Sequence, residues 1–248
     1  MTDWTGLDVW TMGILGGFLL TMPLYRVVRG RRVLDPDLPH RPRSVLLGSW
    51  LKEWLLWVIS PVERAAVRRG IAPEVFNYVG LILSAGAGAA LAAGFLPLGA
   101  LLYLLCGAAD VLDGRIARAR GVSSEYGAFL DSTLDRFAET FVFLGLAWYF
   151  RSWPAAGLFC LLALAGSLLV SYTRARGQGV GVDFNKGIMQ RAERIVLLSA
   201  AALFDGMVTA WLEWARGTLM AVTVLLIGVG SMVTAVYRTT AIGRRLRG

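Results

Sequence analysis

Charge is scarce in this chain. Only 17% of its 248 residues are charged, against roughly a quarter in a soluble domain, while 56% are hydrophobic and the mean hydropathy is +0.59. That balance excludes an ordinary soluble protein and points to one that crosses a membrane several times. Histidine is nearly absent. His40 stands alone in the proline- and arginine-rich stretch LPHRPR and reads as a surface residue, so histidine catalysis is not expected. The two cysteines, Cys106 and Cys160, both lie inside apolar runs. They offer neither a disulfide framework nor zinc-ligand spacing, and read as small packing residues. Lysine is short as well: arginine supplies 23 of the 25 basic residues behind a net charge of +8. The positive charges sit mostly in short loops between apolar runs. Anionic lipid headgroups and phosphorylated substrates are therefore the expected partners, and nucleic acid is not. There is no internal repeat, no low-complexity segment and no stretch that reads as a second folded domain.

What is present is a series of apolar runs near the ~20 residues that span a bilayer. The first covers residues 7–28. A cleaved signal peptide fits it poorly, because no basic segment precedes it and no small-residue cleavage site follows. A basic, proline-rich loop occupies residues 29–44. Over residues 45–70, Trp50, Trp54 and Trp57 recur at i, i+4 and i+7, with Lys52, Glu53, Glu63, Arg64, Arg68 and Arg69 between or after them. This is the pattern of an amphipathic helix lying in the membrane interface, with a break expected at Pro61; a plain core helix is the alternative. Pro73 and Glu74 then open a helix rich in glycine and alanine that runs to about Ala93. Further helices are expected over about 97–120, 124–149, 154–176, 188–204 and 212–237, with a glycine-rich loop at 177–187 and a basic tail from Arg238.

The expected fold is thus an all-α integral membrane protein. It has a six-helix transmembrane bundle, a juxtamembrane amphipathic helix before it and one additional N-terminal transmembrane helix. Residues 1–60 form an N-terminal extension and 61–248 the membrane domain. Arginine-rich loops at 29–43, 115–120, 174–194 and 238–247 alternate with turns that hold only Arg151 and Arg216. The positive-inside rule places the arginine-rich loops in the cytoplasm.

Against this apolar background stand four aspartates, Asp110, Asp113, Asp131 and Asp135. A carboxylate at the centre of a membrane helix costs about 2.5–3.5 kcal/mol on insertion scales, so such residues mark function by default. Asp110 and Asp113 share a helix face at i and i+3, continued by Gly114, Ala117 and Arg118. Gly127, Asp131 and Asp135 form a second one-sided stripe at i, i+4 and i+8. Gly121 suits the end of the first helix, and Ser123 or Ser124 suits the N-cap of the second, with Glu125 in its first turn. The result is a helical hairpin that brings four carboxylates to one point near a membrane surface. Four unneutralised carboxylates would repel one another, and hard divalent cations with oxygen ligands would remove that conflict. A pair of helices with a solvated acidic face is the competing reading, but the apolar flanks leave it little solvent.

The pattern Asp110-x-x-Asp113-Gly114-x-x-Ala117-Arg118, eight residues, Gly127, three residues, Asp131, three residues, Asp135 resembles the signature of the CDP-alcohol phosphotransferase family, with all eight signature residues in place. The likeness covers roughly residues 61–240. Asn77 stands where the family commonly carries a threonine near the nucleotide. The resemblance implies displacement at phosphorus: an alcohol attacks a CDP-linked lipid and CMP leaves. It implies that Asp110, Asp113, Asp131 and Asp135 hold Mg²⁺ or Mn²⁺, two ions in all, and that Asp135 is the catalytic base. It further implies that Asp113, Gly114, Ala117, Arg118 and Gly127 bind the CDP donor.

Two basic clusters concern the acceptor. Ser171 and Arg174 are i, i+3, as are Arg191 and Arg194, so each pair can converge on one ligand, and arginine suits phosphate. Their setting is similar to that of the phosphatidylinositol phosphate synthase branch, although Ala192 stands where that branch often has proline. The leading expectation is a membrane phosphatidyltransferase of phospholipid biosynthesis. It uses CDP-diacylglycerol and a phosphorylated polyol, inositol phosphate first, with its active site facing the cytoplasm of a prokaryotic-type cell membrane. Glycerol 3-phosphate, serine and inositol are rival acceptors, and a CDP-choline-type compound is a rival donor. A cation-binding transporter or a non-catalytic lipid-binding protein are readings of other classes. Homodimerisation is expected from the family and from the small-residue helices.

Overall fold

A proline, a glycine and a serine set the boundaries of the region that matters most. A computed structural model describes residues 6–28 and 49–247; His40, the loop at 29–44 and the start of the amphipathic stretch lie outside the described residues. Eight helices are described: α1 (Gly6–Val28), α2 (Ser49–Arg68), α3 (Pro73–Ala92), α4 (Leu96–Arg120), α5 (Glu125–Tyr149), α6 (Pro154–Gly179), α7 (Arg191–Trp211) and α8 (Thr218–Arg247). The described residues contain no strand. Pro73 is the first residue of α3, where its missing N–H removes no helical bond. Gly121 ends α4 with φ 66°, a left-handed conformation that a side chain disfavours. Ser124 caps α5, its hydroxyl accepting from the Gly127 N–H at 3.0 Å.

Six helices, α3 to α8, share one core. Leu91 of α3, Tyr103 of α4, Phe143 and Leu146 of α5, Ala163 of α6, Leu198 of α7 and Ile227 of α8 all belong to it. α3 packs on α4 and α5, α4 on α7, and α6 on α8. Five of the six, α3, α4, α6, α7 and α8, are long and apolar enough to cross a membrane. α5 is not among them, because Asp131, Asp135, Arg136 and Glu139 crowd its middle. α2 lies outside this core and buries Leu56, Ile59 and Ala66 against Leu112 and Ile116 of α4. It is further tied to α4 by the Arg115–Glu63 ion pair at 2.7 Å. α1 rests on α2 through Tyr25, whose ring meets Trp50 and Trp57, and through Trp54 Nε1, which donates to Thr21 Oγ1 at 2.9 Å.

Three sequence expectations need correction. α2 does not break at Pro61. That proline leaves the Trp57 carbonyl without its usual N–H partner, and the Ser60 hydroxyl donates to it instead at 2.8 Å. α7 starts at Arg191 rather than 188 and runs past Phe204 to Trp211, while α8 starts at Thr218 and continues through the basic tail to Arg247. Asp205 accounts for the junction between the two helices: it lies just past the expected end at 204, yet it is fully buried, and its carboxylate accepts from the Gly217 and Met220 N–H groups at 2.8 and 3.1 Å. One helix thereby caps the next. Asp205→Ala is expected to cost about 1–2 kcal/mol, the worth of an N-cap, read as a lowered thermal midpoint in detergent. Asp205→Asn, which keeps one acceptor oxygen, is expected to lose less.

Candidate active site

The bundle alternates in direction, so the start of α3, α5 and α7 and the end of α4, α6 and α8 meet at one end. Every residue singled out from the sequence as a candidate site residue lies there. Asp110, Asp131 and Asp135 each offer a carboxylate oxygen, and these oxygens lie within 4.8 Å of one another. Arg191, from the first turn of α7, reaches into the group: its Nη1 lies 2.6 Å from Asp110 Oδ1 and its Nη2 2.9 Å from Asp135 Oδ1. Three carboxylates against one guanidinium leave an excess of acidic groups at a partly buried point. The donors are all hard carboxylate oxygens. Both facts fit an oxygen-liganded divalent cation such as Mg²⁺ or Mn²⁺.

Asp113 adjoins that trio, its carboxylate close against that of Asp131. It is buried, its carboxylate accepts from the Gly114 N–H, and it faces a neighbouring cavity of about 200 Å³. Pro73, Asn77, Gly114, Ala117, Arg118, Ser124, Gly127 and Asp131 also line that cavity. Two glycines leave it open. A Cβ on Gly114 would come within 3.2 Å of Arg118 Nη1, and one on Gly127 within 3.3 Å of the Ser124 hydroxyl that caps α5. All the residues expected to bind the donor therefore share one cavity. Asp131 belongs to both that cavity and the carboxylate trio, so the two are continuous. On the other side a water-sized recess of about 10 Å³ is lined by Asn77, Cys106, Asp110, Asp135 and Arg191.

The basic residues divide. Arg191 belongs to the site. Ser171 is half-buried and Arg174 exposed at the end of α6, on the same end of the bundle. Arg194 does not face either cavity. It is 1% exposed, and its Nε and Nη2 both donate to Glu139 Oε1, at 2.8 and 2.5 Å, while its Nη1 donates to the Met189 carbonyl at 3.1 Å. All three nitrogens of its guanidinium are engaged by protein.

Two residues went unnoticed in the sequence. Glu139 continues the stripe of Asp131 and Asp135 by one helical turn, a spacing that could have flagged it. Arg238 reads as part of a basic tail, but it is 4% exposed and donates to the carbonyls of Val170, Asn185 and Lys186 at 2.8–3.0 Å. It ties α8 to the end of α6 and the loop beyond. Its only sequence signal is an arginine directly after a long apolar run.

Comparison with known proteins agrees with this geometry. Residues 71–237 match the family model described as CDP-alcohol phosphatidyltransferase. A phosphatidylinositol phosphate synthase of Streptomyces avermitilis is 31% identical over 206 residues, covering 81% of this chain and 84% of that protein. An archaetidylinositol phosphate synthase of Methanothermobacter thermautotrophicus is 36% identical over 151 residues, covering 60% of this chain and 75% of that one. The crystal structure of Mycobacterium tuberculosis phosphatidylinositol phosphate synthase with CDP-DAG bound superimposes with a TM-score of 0.66 at 28% identity, over 75% of this chain and 93% of that chain. The same enzyme with manganese and citrate gives 0.65 at 28%, over 73% and 87%. With the signature aspartates gathered at one point and most of the chain matched, this protein belongs to the CDP-alcohol phosphatidyltransferase family.

Proposed function

We propose that this protein transfers the phosphatidyl group of CDP-diacylglycerol to a phosphorylated polyol, inositol phosphate first, and releases CMP. One observation carries the reading: the carboxylate trio opens directly onto a cavity lined by Asp113, Gly114, Ala117, Arg118 and Gly127, with a guanidinium at its opposite edge. The names of the relatives support the acceptor class, and the bound CDP-DAG of the mycobacterial structure supports the donor.

In this reading the donor's nucleotide end occupies the 200 Å³ cavity, where the absence of side chains on Gly114 and Gly127 admits it closely. Asp110, Asp131 and Asp135 hold a divalent cation, and Asp113 and Asp131 on the cavity wall extend the oxygen donors toward a second. Bound there, the cations neutralise the pyrophosphate and stabilise the departing CMP. Asp135 takes the proton of the acceptor hydroxyl as its oxygen bonds to the phosphatidyl phosphorus and the bond to CMP breaks. Arg191, with Ser171 and Arg174, holds the acceptor's own phosphate. Arg194, with its donors taken by Glu139 and Met189, supports Arg191 rather than touching the ligand. Six spans from α3 to α8 hold the site at the cytoplasmic face, α1 adds a further span, and the enzyme works as a homodimer.

The test is CMP release by purified protein given CDP-diacylglycerol, Mg²⁺ or Mn²⁺, and in turn inositol phosphate, glycerol 3-phosphate, inositol and serine. Metal-dependent release with inositol phosphate alone is expected. Arg191→Ala should raise the KM for that acceptor roughly tenfold or more, the loss of a charge-assisted hydrogen bond of about 1.5–3 kcal/mol. Release with an unphosphorylated acceptor would retain the reaction but remove the phosphate pocket.

A further inference from the structure

Behind the carboxylate trio lies a second, buried layer that lines neither cavity. α5 carries its acidic stripe one turn deeper, to Glu139, which is 2% exposed. Its partner Arg194 sits one turn beyond Arg191 on α7, at i+3. The two helices are therefore joined by two parallel rungs: Asp135 with Arg191 at 2.9 Å, and Glu139 with Arg194 at 2.5 Å. The outer rung belongs to the site. The inner one faces neither cavity.

A buried ion pair is a poor device for stability alone, because apolar side chains of similar volume usually serve as well or better. Fixing geometry is a better account of it here. α7 has no side-chain N-cap: Gln190 is extended and its side chain makes no capping bond. Its first turn is instead held from below. Arg194 grips Glu139 on α5 with two nitrogens and the Met189 carbonyl, just ahead of α7, with the third. That grip sets how far α7 is rotated and advanced against α5. Arg191 needs both settings, since its two terminal nitrogens must meet carboxylates on two different helices, α4 and α5. Tyr103 of α4 completes the layer. Its hydroxyl is fully buried without a hydrogen-bond partner and lies within electrostatic reach of Glu139, Arg191 and Arg194.

We infer that Glu139 and Arg194 form a positioning pair. They hold the first turn of α7 so that Arg191 stands between Asp110 and Asp135, and through Arg191 they govern both cation binding and, on the function proposed above, capture of the acceptor phosphate. Neither residue touches substrate.

The experiment separates positioning from mere stability. Arg194→Met alone strands a buried carboxylate and should lower the thermal midpoint of the purified protein. Glu139→Gln combined with Arg194→Met removes both charges and should recover most of that loss. If the pair positions Arg191, recovery of stability does not bring recovery of the site. With its guanidinium drawn away from Asp110 and Asp135, the double variant should bind Mn²⁺ about threefold or more tightly in a titration of the metal-free protein, because a competing positive charge has left. The acceptor KM should stay roughly fivefold or more above wild type, with the donor KM little changed. Mn²⁺ affinity decides: a stable double variant with wild-type Mn²⁺ affinity overturns the inference whatever its kinetics. Wild-type protein that transfers to no acceptor would overturn the function instead, and the Mn²⁺ titration would still test the pair. Should the double variant not fold, Glu139→Gln alone keeps the side chain's size and one acceptor oxygen. The same Mn²⁺ criterion then applies to it.

Discussion

Asp135→Asn is expected to fold normally and to lose about 10²–10⁴-fold in CMP release, the usual worth of a positioned general base. Asparagine matches aspartate in shape, so the packing of α5 against α4 and α7 is retained. It cannot accept the acceptor's proton. It also removes one of the three converging carboxylates and one of the two partners of Arg191. These two losses are separable. Asp110→Asn likewise removes a converging carboxylate and a partner of Arg191, but not the base. Raising Mn²⁺ should therefore restore much of the activity of Asp110→Asn and little of that of Asp135→Asn. The check is CMP release by both variants across a Mn²⁺ series, with circular dichroism and thermal unfolding to show that each is folded. Full recovery of Asp135→Asn at high Mn²⁺ would reduce Asp135 to a ligand and leave the base to be found elsewhere.

How much of this site the sequence disclosed depends on the range of the interaction involved. The hairpin was legible because its determinants are local. Pro73, Gly121 and Ser124 act within one turn, and the aspartate stripes follow from helical periodicity alone. Pro61 apart, where the rescue by Ser60 is local, the places where the reading fails depend on partners farther along the chain. Asp205 looks like a helix end until the α8 N-terminus, 12 and 15 residues on, is seen to take its carboxylate. Arg191 and Arg194 look equivalent at i and i+3. What separates them is the partner each meets: Arg191 meets the trio, whereas Arg194 meets Glu139, 55 residues away in sequence. Arg238 is a surface charge by composition and a buried clasp by contact, with its acceptors on backbone carbonyls that carry no sequence signal. α5 shows the reverse case. Periodicity places a helix there and the core confirms it, yet its charges make it too polar to count as a span by length and composition.

Gly145→Val should disrupt the protein as a whole, although Gly145 lies more than two helical turns beyond Asp135. A Cβ at Gly145 would stand 2.1 Å from the Gly88 carbonyl oxygen, and one at Gly88 would stand 2.4 Å from the Phe141 carbonyl oxygen. α3 and α5 therefore cross backbone against backbone, and no side chain can be admitted without moving one helix. Packing of this kind is a main source of helix association where water does not drive it. Overpacking ordinarily costs about 1–3 kcal/mol, and here the obstacle is rigid backbone rather than a yielding side chain, so a loss of roughly 3 kcal/mol or more is expected. Function should fail with it. α3 brings Pro73 and Asn77 to the cavity and α5 brings Asp131, so their crossing sets the cavity's width. Gly145→Ala should show the same effect in smaller measure. Combined with Gly88→Ala it should cost less than the sum of the two, because both intrude on one contact. Gly157→Ala is the control. Its Cβ would meet nothing within 4 Å, so the midpoint should hold or rise slightly through the better helix propensity of alanine. Thermal midpoints of these variants and of Gly88→Ala alone, five in all, in one detergent decide it. If Gly145→Val unfolded at the wild-type temperature, the α3–α5 approach would have to be looser than described, and the cavity with it.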